Sequence, residues 1–139
     1  MPKLRLLYFL FAALCVVSLS SCGDDDDDDV SPNVALLTRG EWTGSAIFFD
    51  GQDISSEFEA DFGIDITRYT SLFERDGSYT DHYDGSVLAD GTWEYENDER
   101  VILFDKGTSD EYRVVISKLD ERELYYIQGG AEFRFTRQN

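Results

Sequence analysis

The chain has 139 residues, of which 42% are hydrophobic and 14% aromatic, and its formal net charge is −17. This length suits one domain, and the aromatic content is higher than that of disordered chains. Nucleic acid would be repelled by so acidic a surface, so we expect no nucleic-acid partner.

The first 21 residues have the pattern of a secretory signal peptide. Lys3 and Arg5 form a basic start, residues 6–17 are nearly all apolar, and small residues precede Cys22. The apolar run is shorter than the ~20 residues that span a bilayer as a helix. We therefore predict a cleaved signal peptide over residues 1–21 rather than a transmembrane helix.

Leu19-Ser20-Ser21-Cys22 resembles the lipobox of bacterial lipoproteins. The resemblance implies cleavage before Cys22, a diacylglycerol thioether on its sulfur and acylation of the new amino group. Two or three acyl chains would make a lasting anchor, because each buried CH₂ contributes about 0.8 kcal/mol. The other cysteine, Cys15, would leave with the signal peptide, so we expect no intramolecular disulfide. The lipid on Cys22 is the only non-protein group expected, and no cofactor is predicted.

Residues 22–35 are predicted to form a flexible tether. Six adjacent aspartates must stay solvated, and these are Asp24, Asp25, Asp26, Asp27, Asp28 and Asp29. An acidic cluster directly after a lipidated cysteine resembles the surface-export signal of lipoproteins in the Bacteroidota. The resemblance implies an outer-membrane lipoprotein that faces the cell exterior. The alternatives are a plain spacer and a domain on the periplasmic face.

Residues 36–139 are predicted to form one all-β domain. Apolar and polar residues alternate in 91–96 and 133–137, as in strands with one face on a core. Asp76-Gly77 and Asp84-Gly85 are typical hairpin dipeptides, and connections this short pair consecutive strands antiparallel. Further strands are predicted at 42–49, 64–75, 78–83, 101–105, 111–117 and 123–128. About eight strands in this order favour an up-and-down barrel, with a sandwich as the alternative.

Residues 50–63 fit two patterns. Ile54, Phe58 and Phe62 have helical spacing, and Asp53 and Gly63 are suited to start and end a helix. Phe58 and Phe62 also alternate with acidic residues, as in a strand. We favour a helical or irregular flap across one end of the barrel.

Both ends of the predicted barrel resemble lipocalins. Gly40-Glu41-Trp42 is similar to the G-x-W that opens their first strand, and Arg134 or Arg137 is a candidate for the late arginine that packs over this tryptophan. Residues 73–80 and 91–95 contain F-x-x-D-G-x-Y-T and G-T-W elements. These elements resemble the lipocalin-like domains of Bacteroidota lipoproteins. The resemblance covers roughly residues 36–137, although the T-D-Y motif of lipocalins is missing.

Aromatic residues are the main candidates for a binding site. They either fill the barrel or wall a pocket for one small ligand, which would lie at the open end near residues 50–63. The residues expected inside the barrel are Trp42, Phe48, Tyr69, Phe73, Tyr79, Trp93, Tyr95, Tyr112, Phe133 and Phe135.

No catalytic or metal site is predicted. His82 is the only histidine, and Asp81 should not orient it, because adjacent strand residues point to opposite faces. A zinc site would need several His or Cys ligands. We therefore predict a membrane-anchored protein that binds a small apolar or amphipathic molecule without catalysis. The alternative is a structural, protein-binding or glycan-binding lipoprotein with a filled barrel. The sequence does not indicate an oligomeric state.

Overall fold

A computed structural model of the chain describes residues 30–137. The predicted signal peptide, Cys22 and the aspartates at 24–29 lie outside the described residues. Pro32 begins the compact unit that contains every element below. Within residues 30–137, no helix is both long and apolar enough to cross a membrane.

The elements of this part of the chain are mostly strands. They are α1 (Pro32–Leu37), β1 (Trp42–Phe49), β2 (Gln52–Asp53), α2 (Ser55–Phe62), a 3-10 helix (Ile66–Arg68), β3 (Tyr69–Phe73), β4 (Ser78–Tyr83), β5 (Ser86–Glu96), β6 (Val101–Phe104), β7 (Tyr112–Leu119), β8 (Glu123–Gln128) and β9 (Ala131–Thr136).

Eight of these strands form a closed antiparallel barrel. Strands β3 to β9 pair in chain order, and β1 closes the barrel by pairing with both β3 and β9. The short β2 pairs only with the end of β1 and is an extra strand. At the β4–β5 turn, Asp84 and Gly85 both have positive φ, of 55° and 82°, as a tight hairpin requires. The predicted up-and-down barrel is therefore confirmed, and the sandwich alternative is excluded.

Two predicted segments have different bounds in the structure. Only Tyr69–Phe73 of the segment 64–75 is strand, because a 3-10 helix precedes it. The Asp65 carboxylate caps this helix by accepting a hydrogen bond from the Thr67 amide at 3.0 Å. Strand β5 begins at Ser86, five residues before the predicted start at residue 91. Residues 86–90 are all exposed, so they lack the alternation that marks 91–96 as a strand.

The ambiguous segment 50–63 contains a short strand followed by helix α2. The helix ends at Gly63, which has a left-handed backbone with φ of 71°. Asp53 is not the N-cap residue, which is Ile54, but its carboxylate accepts a hydrogen bond from the Ser55 amide at 2.9 Å. The Ile54 amide donates to the Ile47 carbonyl at 2.8 Å, which ties the start of α2 to β1.

Phe48 lies on the outer face of the barrel, not inside it as predicted. The pairing of β1 with β9 shifts between Gly44 and Ala46, which adds one residue to β1 and moves the alternation by one position. Ile47 therefore pairs with Phe133 and is fully buried, whereas Phe48 lies 3.7 Å below the guanidinium of Arg134. A Cβ atom at Gly44 would collide with the Ile66 carbonyl, so only glycine allows the 3-10 helix to approach β1 here.

Candidate functional site

One end of the barrel is filled and covered by helix α1. Trp42 and Leu37 are fully buried there, and the Trp42 indole donates a hydrogen bond to the Leu37 carbonyl at 3.0 Å. The Tyr95 hydroxyl donates to the Asn33 carbonyl at 3.1 Å, which holds the first turn of the helix. We call this the closed end.

Arg137, and not Arg134, lies over Trp42 at the closed end. Its guanidinium carbon is 4.1 Å from the centroid of the Trp42 ring. It donates to the Leu36 carbonyl at 2.6 Å and, through Nε and a terminal nitrogen, to the Glu121 carbonyl at 3.2 and 2.8 Å. Arg134 is on the outer face, where it pairs with Glu132 at 2.7 Å. The structure thus identifies Arg137 as the arginine that packs over Trp42, a choice that alternation in the sequence left open.

A cavity of about 320 Å³ occupies the other end of the barrel, which we call the open end. Residues from α2, the 3-10 segment and strands β3, β7, β8 and β9 line it: Phe58, Ile64, Ile66, Tyr69, Tyr112, Tyr126, Gln128, Phe133 and Phe135. This volume is near the lower limit for small-molecule pockets, and the apolar walls with a few polar groups are typical of them.

The predicted aromatic residues divide between the two ends. Trp42, Phe73, Tyr79 and Trp93 belong to the buried core, as does Phe135, which also borders the cavity, and Tyr95 packs against this core. Tyr69, Tyr112, Phe133 and Phe135 line the cavity. Filling and pocket formation were alternatives at the level of the sequence, and the barrel has both, in different halves.

Helix α2 lies at the cavity and is held loosely. Its Phe58 ring contacts Phe133 edge to face, with 5.9 Å between centroids, and Phe62 at 4.7 Å. None of its residues is buried, and Phe62 is 66% exposed. Elements with few buried contacts open most readily. We therefore expect α2 to open more readily than the barrel strands.

A buried carboxylate lies behind the tyrosines of the cavity wall. Asp81 is 5% exposed and accepts hydrogen bonds from the Ser71 hydroxyl at 2.6 Å and from the Tyr69 hydroxyl. Burial raises the pKa of Asp81, and these two hydrogen bonds oppose that effect. No lysine or arginine in residues 30–137 forms an ion pair with it.

The charge of Asp81 reaches the cavity wall. Burial raises the pKa of Tyr69, Tyr112 and Tyr126, and the nearby Asp81 carboxylate raises the pKa of each further. Asp105 acts on Tyr112 in the same way, and it also accepts a hydrogen bond from the Tyr79 hydroxyl at 2.9 Å. The cavity wall at Tyr69 is therefore in direct contact with a buried carboxylate.

Sequence reasoning considered Asp81 only as a partner for His82. The signal that could have revealed its role is alternation in β4, where Tyr79 and Asp81 are both buried. No hydrogen bond joins Asp81 to His82 in the part of the chain that the structure describes, and the His82 Nδ1 is buried there without a partner. These residues also contain no group of three acidic, His or Cys side chains that could hold a metal.

Comparisons with known proteins bear on the fold. No family model and no curated protein matches the sequence. A lipocalin-like protein from Bacteroides uniformis matches with a TM-score of 0.53 and 14% identity, over 71% of this chain and 96% of that one. A DUF4847 family protein from Bacteroides vulgatus matches with a TM-score of 0.52 and 14% identity, over 75% of this chain and 96% of that one. The chain therefore has a lipocalin-like fold, of the kind found in these Bacteroides proteins.

Proposed function

We propose that the domain binds a small apolar or amphipathic molecule in the open-end cavity, without changing it chemically. The observation that carries the proposal is the cavity of about 320 Å³, in which six of the nine lining residues are aromatic. Filling this space with side chains would have stabilised the protein, because voids forfeit packing contacts. A binding role accounts for a barrel that is packed at one end and hollow at the other.

The chemistry of the walls supports binding rather than catalysis. The polar residues of the lining are three tyrosines and Gln128, and the Gln128 amide can orient the polar end of an amphipathic molecule. The Asp81 carboxylate is held by two hydroxyl donors, which suits an electrostatic role better than proton transfer. A ligand would thus be held by apolar contact and oriented by a few hydrogen bonds.

The binding proposal is tested with a soluble form of the protein, residues 22–139 with Cys22→Ala, which contains the whole compact unit. Titration with the neutral fluorophore N-phenyl-1-naphthylamine should show saturable binding. Ile64→Trp should fill the cavity and weaken binding at least about tenfold, because the bulkier side chain removes the space for the probe. Val115→Ala, on an exposed residue away from the cavity, is the control and should bind normally. Absence of saturable binding, or equal binding by Ile64→Trp, would contradict the proposal.

We propose in addition that a lipid on Cys22 anchors the domain to the outer membrane. The lipobox-like Leu19-Ser20-Ser21-Cys22 supports this assignment. Expression of full-length Cys22→Ala should abolish incorporation of labelled fatty acid and release the protein from the detergent-phase fraction. Continued acylation of the variant would refute the assignment.

The orientation toward the cell exterior rests on the aspartates at 24–29. Replacing all six with alanine should leave the protein in the membrane fraction but lower its accessibility to protease added to intact cells. Unchanged accessibility to protease would show that the acidic run acts only as a spacer.

A further inference from the structure

The cavity combines an aromatic wall with a buried negative charge. We propose that its ligand is a small organic cation, an ammonium group that carries an apolar tail. This inference rests on the proposed binding function and specifies the chemical class of the ligand.

The aromatic wall is continuous on one side of the cavity. Tyr126 stacks on Phe133 and Phe135, with centroids 5.8 and 5.3 Å apart, and Tyr69 lies 6.2 Å from Phe135. The faces of aromatic rings are electronegative and attract cations, most strongly where water is excluded. An ammonium that lies over a ring face not covered by this stacking would be favoured over a neutral group of the same size.

The buried carboxylate next to this wall forms no ion pair with a lysine or arginine of residues 30–137. The Asp81 carboxylate is held by the neutral hydroxyls of Tyr69 and Ser71, and no ion pair of residues 30–137 includes it. A buried carboxylate without a counter-ion is costly in free energy. Tyr69 lines the cavity and also donates a hydrogen bond to Asp81, so a cation against Tyr69 would lie near this charge and would reduce that cost.

An anionic ligand such as a fatty acid does not fit the same walls. None of the nine lining residues is basic, and the two arginines of β9 and its end contact other partners, Arg134 on the outer face and Arg137 at the closed end. The acidic residues of the domain also outnumber its basic ones, so the surface attracts cations and repels anions. Both the wall and the long-range field therefore select for positive charge.

The remaining lining residues indicate what the rest of the ligand is like. Phe58, Ile64 and Ile66 are apolar and come from α2 and the segment after it. Tyr69 is the lining residue that contacts Asp81 directly. A ligand with its ammonium among the tyrosines and an aryl or short alkyl tail against Phe58 and Ile64 satisfies both parts.

The test compares two probes that differ mainly in charge, 2-phenylethylammonium and 2-phenylethanol, by calorimetric titration of the soluble form at about pH 7. The ammonium should bind at least about tenfold more tightly than the alcohol, because the ring faces and the Asp81 carboxylate both favour a cation. Asp81→Asn should lower this preference at least about threefold, because only the contribution of the rings remains. Asp90→Asn makes the same change in net charge at an exposed position and should retain the full preference.

The outcomes separate this inference from the proposed function. Equal binding of the two probes would overturn the cation assignment and leave the cavity as a binding site for neutral molecules. A full preference in Asp81→Asn would overturn the role of Asp81 in selecting the cation. Failure of both probes and of N-phenyl-1-naphthylamine to bind would overturn the binding function as well. The comparison of the two probes on the unsubstituted protein decides the question even if Asp81→Asn does not fold.

Discussion

Each end of the barrel carries a short helix, and the two helices are held very differently. Helix α1 at the closed end has Leu37 fully buried and receives hydrogen bonds from Trp42, Tyr95 and Arg137. Helix α2 at the open end has no buried residue. The difference shows how a small barrel can separate its tasks, because packing concentrated at one end supports a fold that keeps space at the other.

The largest effect is expected from Trp42→Ala at the closed end. Removing a fully buried tryptophan should lower the free energy of unfolding by about 3–5 kcal/mol. Phe49→Ala at the other end of β1 is the matched control, and it should cost less than about 1 kcal/mol because Phe49 is 52% exposed. Urea denaturation of the soluble form measures both. Similar losses for the two variants would contradict the division of the barrel into a packed and an open end.

Arg137→Ala should have the next largest effect on stability. It leaves the Leu36 and Glu121 carbonyls without their donor, at a cost of about 1–3 kcal/mol, and it removes the guanidinium from the Trp42 ring. Arg134→Ala removes an arginine from the same strand region on the outer face, and we expect a loss within about 1 kcal/mol. A larger loss of stability in Arg134→Ala than in Arg137→Ala would contradict the assignment of Arg137 as the arginine that covers Trp42.

Asp81→Asn should change how stability depends on pH. Because burial raises the pKa of Asp81, the folded state binds this proton at a pH where the unfolded state, with a value near 3.8, has released it. The contribution of Asp81 to stability is therefore lost as the pH rises above that value, by about 1.4 kcal/mol for each unit by which its pKa is raised.

The measurement is the difference in the free energy of unfolding between Asp81→Asn and the unsubstituted soluble form, from about pH 4 to pH 8. As the pH rises, Asp81→Asn should become more stable relative to the unsubstituted form. The groups that interact electrostatically or by hydrogen bonds with Asp81 are present in both proteins, and they are Tyr69, Ser71, His82, Tyr112, Tyr126 and Asp105. A difference that is constant with pH, or that moves the other way, would show that Asp81 is not penalised by burial.

The smallest effect is expected from Phe62→Ala in α2. With a side chain 66% exposed, the variant should change the free energy of unfolding by no more than about 0.5 kcal/mol. Hydrogen exchange sharpens the comparison, because the amides of α2 should exchange faster than those of barrel strands β7 and β8. Protection of α2 equal to that of these strands would mean that the helix is not a loosely held cover.

Part of the candidate site could be predicted from the sequence. Alternation in β9 indicated that Phe133 and Phe135 share a face, and both line the cavity. The same reasoning failed for Phe48, because a bulge in β1 depends on the register that its neighbour β9 imposes. Asp81 was assigned no role, although alternation in β4 puts it on the face of Tyr79.

The amino-acid sequence by itself determined the barrel. Period-two alternation and Asp-Gly turns are local properties, and short connections leave consecutive strands little choice but antiparallel pairing. Tertiary structure alone decided that Arg137 covers Trp42. It also decided which aromatic residues fill the core and which line the cavity. The contact of Asp81 with Ser71 and Tyr69 across the β3–β4 pair likewise exists only in the folded barrel. The physical reason is that these contacts depend on strand tilt, register and bulges, which arise only when all eight strands close on one another.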